Sequence, residues 1–265
     1  MRLDKELVIR GLVPTRSKAQ ELIDNKYVKL NGQITTKAST SINDSDIIEI
    51  ISNDTLKYVS RGGLKLDKAI NEFNIDFTNK VVMDIGSSTG GFTDCALQHG
   101  ATKVIGIDVG TDVMVEPLRS DSRVELHEQL NIKDATNDLF KDVDIIVSDV
   151  SFISIKRVID KVVEQDKTFD MVLLIKPQFE CGKDIADKYK GIILDKEIHY
   201  NILKDITKYL EDRKYYINNI CASPIKGGDG NIEYLIYVRP TYDDKETMYF
   251  VNYKELIDNT FKKVK

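Results

Sequence analysis

Residues 81–109 place a glycine-rich turn between two apolar segments, and this arrangement constrains the fold more than any other feature of the chain. The first apolar segment contains Asp84 and has the composition of a strand buried in a parallel sheet. Gly86, Gly90 and Gly91 follow, and glycines in such a turn let the backbone approach a ligand where a Cβ atom would clash. The segment therefore predicts a strand, turn, helix and strand that bind a nucleotide cofactor.

Two acids narrow the choice of cofactor. Asp84 lies in the first predicted strand, and Asp108 ends the second at close to the roughly 20-residue offset at which a carboxylate accepts hydrogen bonds from ribose hydroxyls. A dinucleotide fingerprint that begins at Gly86 needs glycine at the position of Ser88. An acid inside the strand end suits a cation, and S-adenosylmethionine carries a sulfonium. The turn therefore favours S-adenosylmethionine as the ligand. The alternative is a turn that binds no ligand and contains glycine only for its backbone conformation.

Length and composition indicate a globular protein with two domains. The chain has 265 residues, of which 42% are hydrophobic and 31% charged, and no apolar run approaches the roughly 20 residues that span a bilayer. The N-terminal sequence is not that of a signal peptide, so the cytoplasm is the expected compartment. The three cysteines and three histidines are widely spaced, which predicts neither disulfides nor a metal site.

Residues 1–54 are predicted to form a separate α+β domain. Apolar residues at helical spacing predict a first helix, which Pro14 stops, and a capping-box pattern that begins at Ser17 predicts a second helix. Asn31-Gly32 lies between two alternating segments, which is a strong signal for a β-hairpin. With a later apolar strand, these elements make a compact module.

The charge of this N-terminal segment differs from that of the whole chain. The net charge is −5, whereas residues 1–40 hold eight basic and four acidic side chains. Because phosphate binding depends on a local basic face and not on total charge, the segment is a candidate for binding nucleic acid. A solvated surface on a small interaction domain is equally consistent with the charges. The candidate RNA contacts are Arg2, Arg16, Lys18, Lys26 and Lys29.

Four polar side chains from separate segments are candidates for catalysis. Lys65 lies in a predicted helix whose apolar stripe leaves the lysine free on another face. Asp149 and Lys176 each follow an apolar segment predicted to be a buried strand, and Glu233 begins a late strand. Because ligands bind at the carboxyl ends of parallel strands, Asp149 and Lys176 are expected to face the same crevice as the glycine turn. Each residue alone is typical of a loop end, and only their joint placement supports a site.

Two lysines and two acids suit methyl transfer to a ribose 2′-hydroxyl. This alcohol is protonated at neutral pH and must lose its proton as it attacks. A lysine accepts that proton only if its pKa falls from about 10.4 toward roughly 7 to 8, through burial and a neighbouring positive charge. The two carboxylates would orient the ammonium groups but raise their pKa values, and the sequence leaves this balance open.

The chain resembles the TlyA family in six segments: SRGGLKL, VVMDIGSSTGGFTD, VIGIDVG, IIVSDVSFIS, LLIKPQFE and GGDGNIEYL. Residues 1–50 contain Arg2-Leu3-Asp4, Thr15-Arg16-Ser17-Lys18-Ala19, Leu22-Ile23 and Val28-Lys29-Leu30-Asn31-Gly32. In these segments the chain resembles the S4 RNA-binding domain. We therefore expect an α/β fold with a Rossmann-like, seven-stranded S-adenosylmethionine-dependent methyltransferase sheet whose last two strands form an antiparallel hairpin. A small α+β S4 domain precedes it. The expected boundaries are 1–54 for the S4 domain, 55–59 for a linker, 60–240 for the FtsJ-like domain and 241–265 for a C-terminal helical extension.

The resemblance also implies an activity and a set of site residues. S-adenosylmethionine is the implied methyl donor, and the implied reaction is 2′-O-methylation of cytidine in ribosomal RNA or in ribosomal subunits. The implied catalytic residues are Lys65, Asp149, Lys176 and Glu233. Of the two lysines, we take Lys176 as the proton acceptor. The expected cofactor contacts are Asp84, Gly86, Ser87, Thr89, Gly90, Gly91, Phe92, Asp108, Asn131 (or Asp134) and Asp149.

Two other functions are compatible with this resemblance. Members of the family are often labelled hemolysin, which suggests a cytolytic protein that acts on membranes. The lack of a spanning segment and the intact cofactor turn weigh against that interpretation. The second alternative is an RNA-binding ribosome assembly factor that has lost methyltransferase activity. Against it, all four implied catalytic positions are occupied.

Overall fold

The computed structural model describes residues 1–24, 26–51, 57–240 and 251–263. The chain divides into two compact units, Met1–Ser60 and Arg61–Lys265. Parts of the predicted linker at 55–59 and of the predicted extension at 241–265 lie outside the described residues.

The first unit contains two helices and a three-stranded antiparallel sheet. Helix α1 covers Leu3–Ile9 and helix α2 covers Arg16–Asp24. Strands β1, β2 and β3 cover Val28–Leu30, Gln33–Ile34 and Ile48–Ile50, in the order β2-β1-β3. Both helices and β1 contribute to one apolar core, whose fully buried members are Leu3, Leu7, Ala19, Leu22, Ile23 and Val28.

The hairpin forms where the sequence predicts it. Asn31 and Gly32 connect β1 to β2 with φ angles of 51° and 79°. A two-residue hairpin turn of type I′ needs the left-handed conformation at both positions, which asparagine and glycine tolerate best. Local sequence therefore sets the register of this pair of strands.

Helix α2 begins earlier than the capping pattern predicts. The amide of Lys18 donates a hydrogen bond to Thr15 Oγ1 at 3.2 Å, so Thr15 and not Ser17 caps the helix. The capping rule itself holds, since a hydroxyl satisfies an amide of the first turn. The error arose because both residues are good caps and the sequence alone does not rank them.

A seven-stranded mixed sheet forms the centre of the second unit. Five strands are parallel: β4 at Val81–Ile85, β5 at Lys103–Ile107, β6 at Val124–His127, β7 at Ile145–Ser148 and β8 at Asp170–Ile175. Strands β9 at Tyr216–Ala222 and β10 at Tyr234–Arg239 complete the order β6-β5-β4-β7-β8-β10-β9. Because β10 is antiparallel to both of its neighbours, the predicted methyltransferase-type sheet with a terminal hairpin is confirmed.

Helices pack around this sheet. Their bounds are Gly62–Phe73 for α3, Gly91–Gln98 for α4, Glu116–Arg119 for α5, Lys156–Val163 for α6, Pro177–Glu180 for α7, Lys183–Lys188 for α8, Lys196–Glu211 for α9 and Tyr253–Lys263 for α10. Helix α3 packs against α4, and α10 packs against α9 and β9. The last helix lies within the predicted extension, and its Ile257 is buried in the main core.

The topology brings five strand ends to one edge of the sheet. The chain runs from β4 outward to β5 and β6 and then returns to β7 on the other side of β4. Such a reversal opens a crevice at the carboxyl ends of the strands, where ligands of α/β proteins bind. Since β10 is antiparallel and Tyr234 pairs with Ile175, the start of β10 lies at this same edge. Glu233 is thereby placed beside Lys176.

Candidate active site

The four predicted catalytic side chains meet in one network of ion pairs. Lys65 Nζ lies 2.7 Å from Glu233 Oε2 and 3.2 Å from Asp149 Oδ2. Lys176 Nζ lies 2.6 Å from Asp149 Oδ1. The side chains of both lysines are only 9% exposed, that of Asp149 18% and that of Glu233 2%. Asp149 therefore contacts both lysines through its two carboxylate oxygens, and the network is largely buried.

Lys65 occupies a different environment from the one that its helix pattern predicted. The apolar stripe of α3 is buried as expected, but the face that carries Lys65 is buried too. A charged lysine is stable in such a place only when acids compensate it, and here Asp149 and Glu233 do so. Lys65 is therefore held in the network and is not free.

The two lysines differ in the number of acidic side chains that contact them. Burial lowers the pKa of Lys65, but the charges of Asp149 and Glu233 outweigh it, so that the pKa is raised above its ordinary value. Lys65 consequently keeps its proton at neutral pH. Lys176 contacts only one of the two carboxylates and donates a hydrogen bond to Ser151 Oγ at 2.8 Å. Ser151 carries no signal in the sequence that would have singled it out.

A cavity of about 480 Å³ adjoins this network, within the roughly 300–1,000 Å³ typical of small-molecule sites. Asp149 belongs to both the cavity wall and the network, and Ser151 joins the cavity wall to Lys176. The rest of the polar wall is Gly86, Ser88, Asp108 and Asn131, and the apolar part includes Ile107, Val109, Leu130, Ile132, Val150 and Phe152.

The glycine turn is fixed in place by Asp108 and by a close approach to Asp149. Asp108 accepts hydrogen bonds from the amides of Ser88 at 2.8 Å and Gly110 at 2.7 Å. Gly86 has a φ of 82°, and a Cβ atom there would lie 3.0 Å from the carbonyl oxygen of Asp149. Only glycine allows the turn this conformation and this contact.

Several predicted cofactor residues support the turn from outside the cavity wall. Ser87 and Phe92 are buried, and the carbonyl of Thr89 accepts a hydrogen bond from the amide of Val115. Gly90 has a φ of 94°, where a Cβ atom would collide with Leu118. Gly91 begins α4, and Asp134 is exposed, so that Asn131 is the member of that pair on the wall.

Asp84 lies beneath the turn and is fully buried. Its Oδ2 accepts a hydrogen bond from the Thr93 hydroxyl at 2.6 Å, and its Oδ1 has no hydrogen-bond partner among the described residues. Burial raises the pKa of this carboxyl to about 7. Asp84 therefore ties β4 to α4 and does not itself line the cavity.

Two of the predicted RNA contacts in the first unit share one buried acid. Arg2 and Arg16 lie 2.9 Å and 2.7 Å from the carboxylate of Asp4, which anchors both guanidinium groups. Asp4 is buried while both arginines are well exposed. The pair therefore presents fixed positive charge to solvent.

The three lysines of this set differ in exposure. Lys26 is exposed and Lys29 half-buried on β1, next to the hairpin. Lys18 is buried and pairs with Glu21 at 3.3 Å, and its Nζ also donates to the carbonyl of Tyr58. Lys18 is therefore not the exposed RNA contact that its position near the start of a helix suggested.

Comparison with known proteins supports the same architecture. The chain matches the FtsJ-like methyltransferase family over residues 58–239 and the S4 domain over residues 1–48. It is 34% identical over 244 residues to the 16S/23S rRNA (cytidine-2'-O)-methyltransferase TlyA of Mycobacterium tuberculosis, with 91% of each chain covered. It belongs to the TlyA family. The protein is therefore an S-adenosylmethionine-dependent methyltransferase, and S-adenosylmethionine is its cofactor.

Two further relatives in the TlyA family carry the hemolysin label. Hemolysin A of Brachyspira hyodysenteriae is 44% identical over 240 residues, covering 89% of this chain and 99% of its own. A solved structure from Streptococcus thermophilus, also described as a hemolysin, has a TM-score of 0.76 and 35% identity, over 99% of this chain and 96% of that one. Within the described parts of the chain, no α-helix combines the length and the hydropathy of a membrane span.

The cavity fits this cofactor. Its volume suits a nucleoside-sized ligand. Gly86 brings backbone close to the cavity without a side chain, and Asp108 presents a fixed carboxylate on the wall. A carboxylate has about four lone-pair sites, so the two amide contacts of Asp108 leave acceptors for ribose hydroxyls.

We expect Gly86→Ala to weaken S-adenosylmethionine binding by about tenfold or more, which is about 1.4 kcal/mol. The added Cβ atom would crowd Asp149 and strain the turn. Equilibrium titration calorimetry measures the change, with Gly228→Ala as the control because a Cβ there meets nothing within 4 Å. Equal affinity of Gly86→Ala and wild type for S-adenosylmethionine would show that this turn is not part of the cofactor site.

The raised pKa of Asp84 makes stability depend on pH. Above the ordinary pKa of 3.8 and below about 7, only the folded state holds this proton. The free energy of unfolding therefore falls as the pH rises through this window, by at most about 4 kcal/mol from this group. Urea unfolding from pH 5 to 8 should show a smaller fall for Asp84→Asn than for wild type and Asp134→Asn. Parallel curves for all three proteins would contradict the assignment.

Proposed function

We propose that this chain transfers a methyl group from S-adenosylmethionine to the ribose 2′-hydroxyl of a cytidine in ribosomal RNA. The observation that carries this proposal is the network of Lys65, Asp149, Lys176 and Glu233, which shares Asp149 with the cofactor cavity. The activity in the name of the relative from Mycobacterium tuberculosis supports the same acceptor. When bound, S-adenosylmethionine supplies a methyl group on a positively charged sulfur.

Three groups on the cavity wall would hold the cofactor. Gly86 permits close contact with backbone, and the carboxylate of Asp108 would accept hydrogen bonds from the ribose hydroxyls. Asn131 begins a short 3-10 turn, and its Oδ1 accepts a hydrogen bond from the amide of Lys133 at 3.2 Å. This contact orients its amide group, which we assign to the adenine end of the cavity.

Lys176 is the proton acceptor in this proposal. A 2′-hydroxyl beside Ser151 would lie next to Lys176 Nζ and could pass its proton to a neutral amine there. Lys65 keeps its own proton, so we assign the acceptor role to Lys176, the lysine that contacts Ser151. Asp149 orients Lys176, whereas Glu233 holds Lys65 in position.

An aromatic pair beside Lys176, in which the ring of Phe152 is exposed, supports a nucleotide as the acceptor. The side chain of Phe152 is 87% exposed, and its ring lies 5.1 Å from that of Phe179. Phe179 in turn lies 5.9 Å from Lys176 Nζ. An exposed aromatic ring is costly in water but offers a surface on which a base splayed out of its helix stacks. We assign this pair to the base of the target nucleotide.

The first unit would bind the phosphate backbone of the same RNA. Arg2 and Arg16 present anchored guanidinium groups, and Lys26 and Lys29 lie beside the hairpin. Contacts of this kind position the RNA and carry no base specificity. The proposed partner is ribosomal RNA or a ribosomal subunit, and the proposed compartment is the cytoplasm, where that RNA is found.

We expect Lys176→Ala to reduce methyl transfer by about 100-fold or more, while S-adenosylmethionine binding changes by less than about twofold, since one wall contact at most is altered. Lys176→Arg places a permanently charged group at this position that cannot accept a proton at neutral pH, so it should be equally inactive. The assay transfers radiolabelled methyl groups to ribosomal subunits from cells that lack this protein, and the label is mapped to 2′-O.

The control for this assay is Lys156→Ala, which removes a lysine at the start of α6 that pairs with Asp205 on α9 and should leave transfer intact. Full activity of Lys176→Arg would mean that the lysine acts only through its charge. If wild type binds S-adenosylmethionine but labels no ribosomal RNA, the proposed acceptor is wrong.

Replacing both Lys26 and Lys29 with alanine should weaken RNA binding and reduce the slope of log affinity against log salt by up to about 2, roughly 1 for each lost phosphate contact. Filter binding of ribosomal RNA fragments at several salt concentrations measures this slope. Lys141→Ala, which removes an exposed lysine of the second unit, should leave the slope unchanged. An unaltered slope in the double variant would exclude this face as the RNA contact.

A further inference from the structure

Three potential metal ligands outside the catalytic network lie together between α3 and α4. Asp67, Cys95 and His99 each offer one ligand atom, and the three atoms lie within 4.8 Å of one another. His99 Nε2 and Asp67 Oδ1 are 2.9 Å apart. The function proposed above makes no use of these side chains.

The packing of the two helices explains why this cluster is not visible in the sequence. Cys95 lies on α4 and His99 directly follows the last residue of that helix, one helical turn further along, so the two side chains lie on the same side. Helix α3 packs against that helix and supplies Asp67 from a distant part of the sequence. A cysteine and a histidine at this spacing do not form a familiar metal motif, and only the packing of the two helices adds the third ligand.

The mixture of donors selects for a particular ion. A thiolate, an imidazole and a carboxylate suit Zn²⁺, whereas Mg²⁺ and Ca²⁺ prefer oxygen ligands alone. Bonds of about 2.0 to 2.3 Å in a tetrahedral zinc site put neighbouring ligand atoms roughly 3.5 Å apart. To reach that distance, His99 Nε2 and Asp67 Oδ1, now 2.9 Å apart, would separate slightly, and the other separations, at most 4.8 Å, would shorten.

The surroundings of the cluster support a bound ion. Asn71 Nδ2 donates a hydrogen bond to Asp67 Oδ1 at 3.1 Å, and outer contacts of this kind orient metal-binding carboxylates. The side chains of His99 and Asp67 are 24% and 19% exposed, so an ion can reach them from solvent. Cys95 is 0% exposed, so its sulfur cannot reach a substrate as a nucleophile.

We propose that Asp67, Cys95 and His99 bind one Zn²⁺ ion that clamps α3 to α4. Binding forms a bond between zinc and the Cys95 sulfur, and the thiol proton passes to solvent. Helix α3 also carries Lys65, and α4 begins at Gly91, directly after the cofactor turn. The ion would therefore fix the catalytic lysine and the cofactor turn relative to each other.

The test uses the full chain without an affinity tag and Zn²⁺ itself as the probe. Titration against a competing chelator should give one zinc ion per chain, and zinc should raise the Tm of the wild type. Cobalt substituted for zinc should produce a thiolate-to-metal absorption band. Cys95→Ser, His99→Gln and Asp67→Asn should each weaken zinc binding by about tenfold or more, or 1.4 kcal/mol.

The matched control is Cys221→Ser, which alters a comparably buried thiol on β9 and should bind zinc as the wild type does. Circular dichroism verifies that each variant folds. If Cys95→Ser does not fold, His99→Gln carries the test, since this side chain ends α4 and is partly exposed. Wild-type protein without stoichiometric zinc or without the cobalt band would overturn the proposal, as would variants that bind zinc like the wild type.

Discussion

The arrangement of the active site depends on the carboxylate of Asp149, which two buried lysines share. One oxygen contacts Lys65 on α3 and the other contacts Lys176 at the end of β8. Two ammonium groups in a poorly solvated space would repel each other. A carboxylate between them holds both in place while limiting that effect. Its backbone carbonyl also packs against Gly86, so that the same residue positions the cofactor turn.

The charges around this carboxylate give the two lysines different surroundings. Lys65 faces two acids, and its pKa rises despite burial. Lys176 faces one acid and a hydroxyl. The asymmetry follows from the direction of β10: an antiparallel strand brings Glu233 to the sheet edge near α3. A parallel strand at this position would have put the acid at the opposite edge.

Local sequence predicted well wherever the conformation depends on neighbouring residues. The Asn31-Gly32 hairpin and the glycine turn at Gly86 both need left-handed backbone, and few residue types allow it. Burial was harder to predict. Lys18 and Lys65 occupy helix positions typical of exposed lysine, yet both are buried against acids. A helical pattern identifies which residues share a face, but it does not identify what covers that face.

The sequence by itself determined the order of strands and helices, the cofactor turn and the four polar residues that end at the sheet edge. These depend on periodicity and on glycine, which act over a few residues. Only the tertiary structure decided which charges meet. It gave Lys65 two acids, added Ser151 to the site and joined Asp67 to Cys95 and His99. Charge interactions act through space, and their sign and strength depend on distances and burial that no local pattern specifies.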